Sequence, residues 1–579
     1  MKIHRIGRLI FIIITLGIFS IIFEDAALRV PFLGPVGHAL DFVIFFLFIF
    51  AFLARLSRTR NKIKFIKRSI FGIILITVLF LSFMYAKYFY FFVGSHPWHK
   101  IPVSIFLVAI LFIALNAFLH MDKLRAFFRY FSIRPARTIF LSFIIVILAG
   151  TVLLMMPFSA SYQVRVGFID ALFTATSAMC VTGLVIGNTA TMFSGFGKLV
   201  IMLLIQTGGL GIMILAVFVA FRVGRKLTSQ DKIAMSHMLD DTGMKNLAQR
   251  VRNIISFTVF FEACGALFLF APFKESVGGS MKAAFFAVFH SISAFCNAGF
   301  ALFSDNLEQF SSSVPVNLTV AGLIIAGGIS FIVISDLFGN LKARAKRRFF
   351  QGKQKPSGLT LNTKIVLAVT IILLVSGTLL IYAFEYDSNL RSLDIKTGCL
   401  EAFFQTVTLR TAGFNTMDIS GLQGATYCLM ILFMFIGGAA GSTAGGIKVN
   451  TVGVLWAHIR SIFANRDEVV LMKHSIPKSM ISQAFLVVFL SLGALFIGVL
   501  ILALIEQREV IKVVFEAVSA FGTVGLSTGI TPQLAGVSKI VIILLMIIGR
   551  LGPLTLIAIL SGKAERSRLE YPVGKVNIG

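Results

Sequence analysis

Charge is what this chain lacks most. Only 13% of its 579 residues are Asp, Glu, Lys or Arg, about half the share of a soluble globular domain. A soluble globule is therefore excluded. Acid is scarcer than base, with 25 Asp and Glu against 53 Lys and Arg. Trp occurs twice against 61 Phe, so much of the apolar surface is expected to face lipid. The five cysteines are Cys180, Cys264, Cys296, Cys399 and Cys428. They show no CxxC spacing and are odd in number, which gives neither a disulfide framework nor a metal site. No nucleophile–base pair and no metal-ligand constellation stands in the sequence. The chain is expected not to be an enzyme and to bind no cofactor.

Apolar length is what the chain has. Hydrophobic residues make up 57% of it, and the mean hydropathy is +0.92. This is an all-α polytopic membrane protein, in contact with lipid along most of its length. The net charge of +28 is gathered into connections, at 55–68, 123–137, 222–252, 342–364 and 448–478, and into a tail at 563–568. Nucleic acid is excluded as a partner, since that would need a soluble basic face with stacking aromatics. The basic loops read as cytoplasmic by the positive-inside rule, with both termini cytoplasmic. The first 30 residues have the charged-then-apolar form of a secretory signal but no small-x-small cleavage site, so a retained first membrane helix is expected.

Four segments repeat one pattern: FTATSAMCVTGL (173–184), FHSISAFCNAGF (289–300), FFQTVTLRTAGF (403–414) and FEAVSAFGTVGL (515–526). Each places a Phe ten residues before a Gly. Gly183, Gly299, Gly413 and Gly525 are spaced 116, 114 and 112 residues apart. Regular self-similarity means four copies of one unit. Spans are expected at 138–156, 170–179 and 197–221 in repeat one, and at 254–272, 281–295 and 316–338 in repeat two. Repeat three takes 364–384, 397–409 and 425–449; repeat four takes 481–505, 510–521 and 538–560. The middle helix of each is too short to cross ~30 Å of hydrocarbon at about 1.5 Å per residue, so it is expected to be re-entrant. The resulting domains are a four-helix block at 1–120, repeats at 121–252, 253–363 and 364–480, and a last repeat with the tail at 481–579.

A potassium ion entering a narrow pore must exchange its water for protein oxygens. Consecutive backbone carbonyls serve if the chain takes unusual dihedrals, which glycine adopts freely. Such irregular backbone is tolerated at membrane depth only where it lines a cavity or is buried in protein. The expected donors are Cys180, Val181, Thr182 and Gly183; Cys296, Asn297, Ala298 and Gly299; Arg410, Thr411, Ala412 and Gly413; and Gly522, Thr523, Val524 and Gly525. No metal other than K+ at these carbonyls is expected. A helix-ending glycine explains one such turn; four at matched spacing point to a pseudo-fourfold filter within one chain.

The turns resemble those of the Trk/Ktr/HKT potassium transporter superfamily, through VTGL, CNAGF, LRTAGFNT and SAFGTVGLSTG over roughly 138–560. The resemblance implies helix–pore-loop–helix repeats, potassium uptake, a homodimer, and a cytosolic ring of nucleotide-binding RCK-type subunits docked on the loops at 222–252, 342–364 and 448–478. Relatives with Ser at the first filter glycine favour sodium, so Gly183 argues for potassium. The amino-terminal block departs from the family: four helices are expected, near 9–23, 42–56, 69–93 and 103–119. A voltage sensor is excluded there, because the fourth helix carries no Arg or Lys at every third position.

The last helix of repeat three contains IGGAAGSTAGGIKVNT (436–451). Gly437, Gly438, Gly441, Gly445 and Gly446 each cost about 1 kcal/mol in a helix relative to Ala. Lys448 follows, but Gly446 is succeeded by Ile447, so the phosphate-binding GxxxxGK[ST] pattern is absent. The expectation is an unwound loop below the filter, which the resemblance implies is the gate, with Ser442 and Thr443 offering hydroxyls. Arg550, within MIIGRLGPLT, is expected to face a partner or the pore, since an unpaired Arg in hydrocarbon costs at least ~2.5 kcal/mol. By the resemblance it is an electrostatic barrier near the gate. Glu262, Glu385, Glu506 and Asp336 are expected at interfaces. Asp170, Glu401 and Glu516 are read as compensating helix N-termini, and His290 as packing. The function expected is gated potassium uptake through a carbonyl-lined pore. A carrier coupling potassium to Na+ or H+ is the alternative. A two-repeat secondary transporter is disfavoured by four related loops.

Overall fold

The computed structural model describes residues 135–156, 159–161, 166–211, 247–350, 358–553 and 555. The chain divides into two compact units, Met1–Phe131 with Met156–Phe158, and Ser132–Met155 with Ser159–Gly579. The helices below belong to the second unit. The expected amino-terminal four-helix block and the basic tail lie outside the described residues, as does most of the basic connection at 222–252.

Helices dominate. The first group is α1 (Pro135–Met155), α2 (Phe168–Met179) and α3 (Gly195–Leu210). The second is α4 (Leu247–Val277), α5 (Ser280–Phe295), α6 (Val314–Gly328) and α7 (Phe331–Phe350). The third is α8 (Leu361–Glu385), α9 (Ile395–Thr408), α10 (Gly424–Phe435) and α11 (Val449–Phe463). A small hairpin of β1 (Val470–Leu471) and β2 (His474–Ser475) leads to α12 (Lys478–Glu506), α13 (Val510–Gly522) and α14 (Gly536–Leu551). Three of the described helical stretches are long and apolar enough to cross a membrane: Val251–Val277, Leu361–Glu385 and Lys478–Glu506. Their outward faces are apolar, as at Leu267, Phe268, Phe489 and Leu504. Surface of that kind is stable against hydrocarbon and costly against water.

Each group opens with a long helix and then a short one of 12 to 16 residues. The short helices sit at the centre. Phe173, Phe289, Phe404 and Phe515 are all fully buried there. In the third repeat this shifts the expected register by one: Phe404, not Phe403, fills the equivalent place in the core.

The second long helix of every group ends early, and this corrects the expected spans. In repeats one and four the described helix stops at Leu210 and Leu551, each followed by a glycine at positive φ, Gly211 (82°) and Gly552 (81°). In repeat two the expected single helix at 316–338 is two, α6 and α7, bent by 101° at Ile329–Ser330. The Ile329 N–H still bonds the Ile325 carbonyl at 3.0 Å before the chain turns. In repeat three α10 ends at Phe435 and helix resumes only at Val449. Pro272 does not end α4, which runs on to Val277. Where an interior proline removes one N–H, the freed carbonyl lies one turn earlier.

Candidate functional site

The four short helices each run into a turn of the same shape. The residue two before each key glycine is left-handed: Val181 (φ 57°), Asn297 (61°), Thr411 (72°) and Thr523 (52°). Three of these are β-branched, for which positive φ is a genuine outlier. The glycines follow at φ 95°, 67°, 78° and 93° for Gly183, Gly299, Gly413 and Gly525. Strain of roughly 1–3 kcal/mol per such residue persists only where its surroundings over-determine it. Here the surroundings are the short helix behind. Thr182 N–H bonds the Ser177 carbonyl at 2.8 Å, Ala298 the Ser293 carbonyl at 2.7 Å, and Val524 the Ser519 carbonyl at 2.8 Å. In the third repeat Ala412 reaches Thr408 instead, at 2.9 Å. That one-residue shortening is the source of the register shift at Phe404. The hydroxyls of Ser177 and Ser519 also accept the Gly183 and Gly525 N–H groups, both at 3.1 Å.

The turns close on one another in a ring. A Cβ on Gly183 would strike the Ala298 carbonyl, on Gly299 the Ala412 carbonyl, on Gly413 the Val524 carbonyl, and on Gly525 the Thr182 carbonyl. One, two, three, four and back to one: every sequence-predicted turn is brought against the next. No side chain fits at any of the four contacts. The expected donor residues are buried, apart from the half-buried Gly525. All four glycines, with Val185, Ala301, Asn415 and Ser527 two residues beyond them, line a single cavity of about 340 Å³. Among the described residues, that cavity is lined by Glu308 and Asp418 and by no Lys or Arg. Asn306 donates its side-chain amide to the Gly413 carbonyl at 3.4 Å. Asn415 ties Glu308 across repeats at 2.7 Å.

The glycine-rich segment lies against the other side of the ring. Its ends meet, with the Gly437 N–H on the Ile447 carbonyl at 2.8 Å. Its middle docks on the last turn of α6, where Ala439 N–H reaches the Gly328 carbonyl at 3.0 Å and Thr443 N–H the Gly327 carbonyl at 3.2 Å. Gly441 (φ 73°) and Gly446 (φ 64°) make the bends. Gly438 accepts the Val449 N–H at 3.1 Å, fixing the exit into α11. The Thr443 hydroxyl lies 3.3 Å from both the Phe295 carbonyl and the Asn297 amide. That of Ser442 donates to the Ala439 carbonyl at 2.7 Å. Gly445 packs on the Thr523 side chain and Gly446 beside Gly522. The loop thus touches turns two and four. Lys448 donates to the Ala444 carbonyl at 2.7 Å. Arg550, on α14, donates to the Thr443 carbonyl of the loop and to the Gly208 carbonyl of α3. It reaches inward to the loop, not outward to an interface.

Several charged residues depart from their expected places. Glu385 is fully buried against protein at the end of α8. It accepts the Thr426 hydroxyl, the Gln423 N–H at 3.0 Å and the Asn389 amide at 2.8 Å. Glu516 lies in the middle of α13, not at its N-terminus, and is buried. Asp170 does sit in the first turn of α2 and pairs with Lys539 at 2.8 Å. Arg410 is buried, with Nε and one terminal nitrogen unpartnered. Among the described residues no group of His, Cys, Asp and Glu is placed to hold a metal ion. A buried polar set behind the turns, built from His290 and Glu516, was not anticipated from the sequence.

Comparison with known proteins agrees with this architecture. A family model described as TrkH, a cation transport protein, matches residues 103–568. The chain is 37% identical over 463 residues to the Ktr system potassium uptake protein B of Bacillus subtilis, covering 80% of this chain and 100% of that protein. It is 34% identical over 442 residues to the potassium/sodium uptake protein NtpJ of Enterococcus hirae, covering 76% of this chain and 95% of that protein. The crystal structure of the potassium transporter TrkH from Vibrio parahaemolyticus is similar at a TM-score of 0.60 and 18% identity, covering 85% of this chain and 98% of that one. That last likeness is one of fold.

Proposed function

We propose, for a chain that belongs to the TrkH family of cation transport proteins and, within it, to the Trk/Ktr potassium transporter membrane subunits, that it takes up potassium through a gated pore lined by backbone carbonyls. The observation that carries this reading is the closed ring of four turns, each glycine pressed against the carbonyl of the next repeat. A ring of fixed carbonyls replaces the water that a bare cation gives up. The short helices aim their C-terminal, partly negative ends toward the same centre. The cavity beyond the ring, with Glu308 and Asp418 and no fixed cation among the described residues of its lining, raises the local concentration of positive ions. We place that cavity on the outer side of the membrane and the glycine-rich loop on the inner side.

The loop at 437–446 is the gate in this reading. It crosses beneath the ring, and Arg550 pins its middle to α3. A guanidinium held there sets an electrostatic barrier to a cation leaving the ring. Opening needs the loop to exchange a few backbone hydrogen bonds for others, which glycines permit. The assembly we propose is a homodimer in the cell membrane, both termini cytoplasmic, with a nucleotide-binding RCK-type subunit on the cytosolic loops. The stretch 448–478, which holds α11 and the hairpin, is one such docking surface.

A sodium-coupled carrier is the second reading, favoured by the relative named for both potassium and sodium. One experiment separates the two. The purified protein is placed in vesicles, and K+ and Na+ fluxes are followed with and without a sodium gradient. The channel reading expects K+ flux to follow the K+ gradient alone. Flux that stops when sodium is withdrawn supports the carrier, and equal K+ and Na+ permeability overturns the filter.

A further inference from the structure

The ion path itself does not call for titratable side chains behind the turns, yet two are there at one repeat position. Nine residues before the key glycine, repeat two has His290 and repeat four has Glu516, both buried in their short helices. His290 Nδ1 lies 2.8 Å from the Phe286 carbonyl. A carbonyl only accepts, so that nitrogen carries the proton, and Nε2 is left to accept. It accepts the Leu302 N–H at 3.1 Å. Glu516 Oε1 accepts the Thr528 N–H at 3.0 Å. Leu302 and Thr528 each stand three residues past their glycine. Two unlike side chains therefore make one bond, from the short helix to the same backbone atom beyond the turn.

Around each bond the packing is tight. Phe273, Phe286, Phe289, Phe303 and Phe414 surround the His290 ring. Glu516 also accepts the hydroxyls of Ser527, Thr528 and Thr531. The other two repeats lack the bond. Thr174 turns back to the Asp170 carbonyl of its own helix at 2.9 Å. With the register shift, Gln405 takes the place in repeat three. It is buried with neither amide atom partnered, and the Thr416 hydroxyl, three residues past Gly413, is unpartnered too. Repeats two and four are diagonal in the ring order set by the glycine contacts.

We infer that His290 and Glu516 are positioning residues for ion selection, latching turns two and four across the ring from one another. This rests on the filter reading above. Each latch fixes the strand that leaves a turn, so the carbonyls ahead of it cannot relax onto a smaller ion. Turns one and three lack this bond and are held by the short helix at the turn itself.

The test uses full-length protein in vesicles, with K+ half-saturation, maximal flux and the K+/Na+ permeability ratio measured for each variant. Glu516→Ala and His290→Phe should lower the ratio on the order of tenfold and raise K+ half-saturation, with maximal flux retained. Glu516→Gln and His290→Gln keep an acceptor and should recover most of the ratio, which a purely structural role would not require. Gln405→Leu, at the unlatched position, should leave the ratio unchanged and raise the melting temperature, since it removes an unpartnered amide. If the Ala and Phe variants do not fold, the Gln variants decide: a ratio indistinguishable from that of Gly525→Ala overturns the latch. An unchanged ratio in Glu516→Ala and His290→Phe overturns it as well. Should Gly525→Ala also leave the ratio unchanged, the filter reading has failed, and not the latch alone.

Discussion

At Gly183 one added carbon decides between two structures. Its φ is 95°, and a Cβ would strike the Ala298 carbonyl of the next turn. Left-handed strain costs roughly 1–3 kcal/mol for a residue other than glycine. Taken from the state that holds the ion, that is on the order of tenfold in preference. Gly183→Ser is therefore expected to lower the K+/Na+ permeability ratio about tenfold or more, read from reversal potentials or paired flux. Equal ratios in Gly183→Ser and the parent would remove Gly183 from the filter. The four glycines were legible because each recurs in the same local string at nearly constant spacing. The latch behind them was not. Its position reads Thr174, His290, Phe404 and Glu516 by simple alignment, four residue types with nothing in common. Only the shortened third turn reveals that Gln405 belongs there in place of Phe404. The burial of Glu385 was hidden for a similar reason: its partners Gln423 and Thr426 lie some forty residues on, beyond the reach of local pattern.

At the scale of elements, helix breaks were legible only where glycine is dense. Five glycines between 437 and 446 announce a loop, and helix is absent between Phe435 and Val449. The 101° bend at Ile329–Ser330 follows Gly327 and Gly328 within a largely apolar run. There tertiary contact decides: a Cβ on Gly327 would strike the Phe295 carbonyl at the end of α5. The same closeness recurs between Gly208 and Met179, and between Gly549 and Phe521. The loop's own bonds predict its behaviour. It is held by a few backbone hydrogen bonds to α6 and by Arg550, each worth about 0.5–3 kcal/mol net. Removing residues 439–444 should leave a folded protein with higher K+ flux and unchanged K+/Na+ ratio, because the ring is made elsewhere. Arg550→Ala, which frees the loop from α3, should raise flux in the same direction by a smaller factor. Flux per purified molecule in vesicles measures both. Parent-like flux in the deletion would mean that the segment is packing and that the gate lies elsewhere.

For the whole molecule, four repeats in one chain predict pseudo-fourfold symmetry, and each key glycine lies against the carbonyl of the next turn in cyclic order. What the repeat pattern conceals is how the copies differ around the cavity. Among the described residues, only the second and third contribute acids to its lining, Glu308 and Asp418. Glu308 sits in the loop beyond α5. Burial raises its pKa above the ordinary carboxylate range, Asp418 and Asp305 add to that, and the Asn415 amide partly opposes it. Glu401 is a further acid close by. A raised pKa means that the charge is lost sooner as outside pH falls. The cavity then gives up negative charge above the pH at which a free glutamate would, and attracts cations less strongly. K+ half-saturation should accordingly rise as external pH is lowered toward the ordinary carboxylate range, with maximal flux little changed. The rise should shrink at high ionic strength, where long-range attraction is screened within about 10 Å. Glu308→Gln should show the raised half-saturation at neutral pH and lose most of the pH dependence. If Glu308→Gln keeps the parent's half-saturation and the parent's pH profile, the cavity charge does not steer ions, and the acids at its wall serve only to join repeat two to repeat three through Asn415.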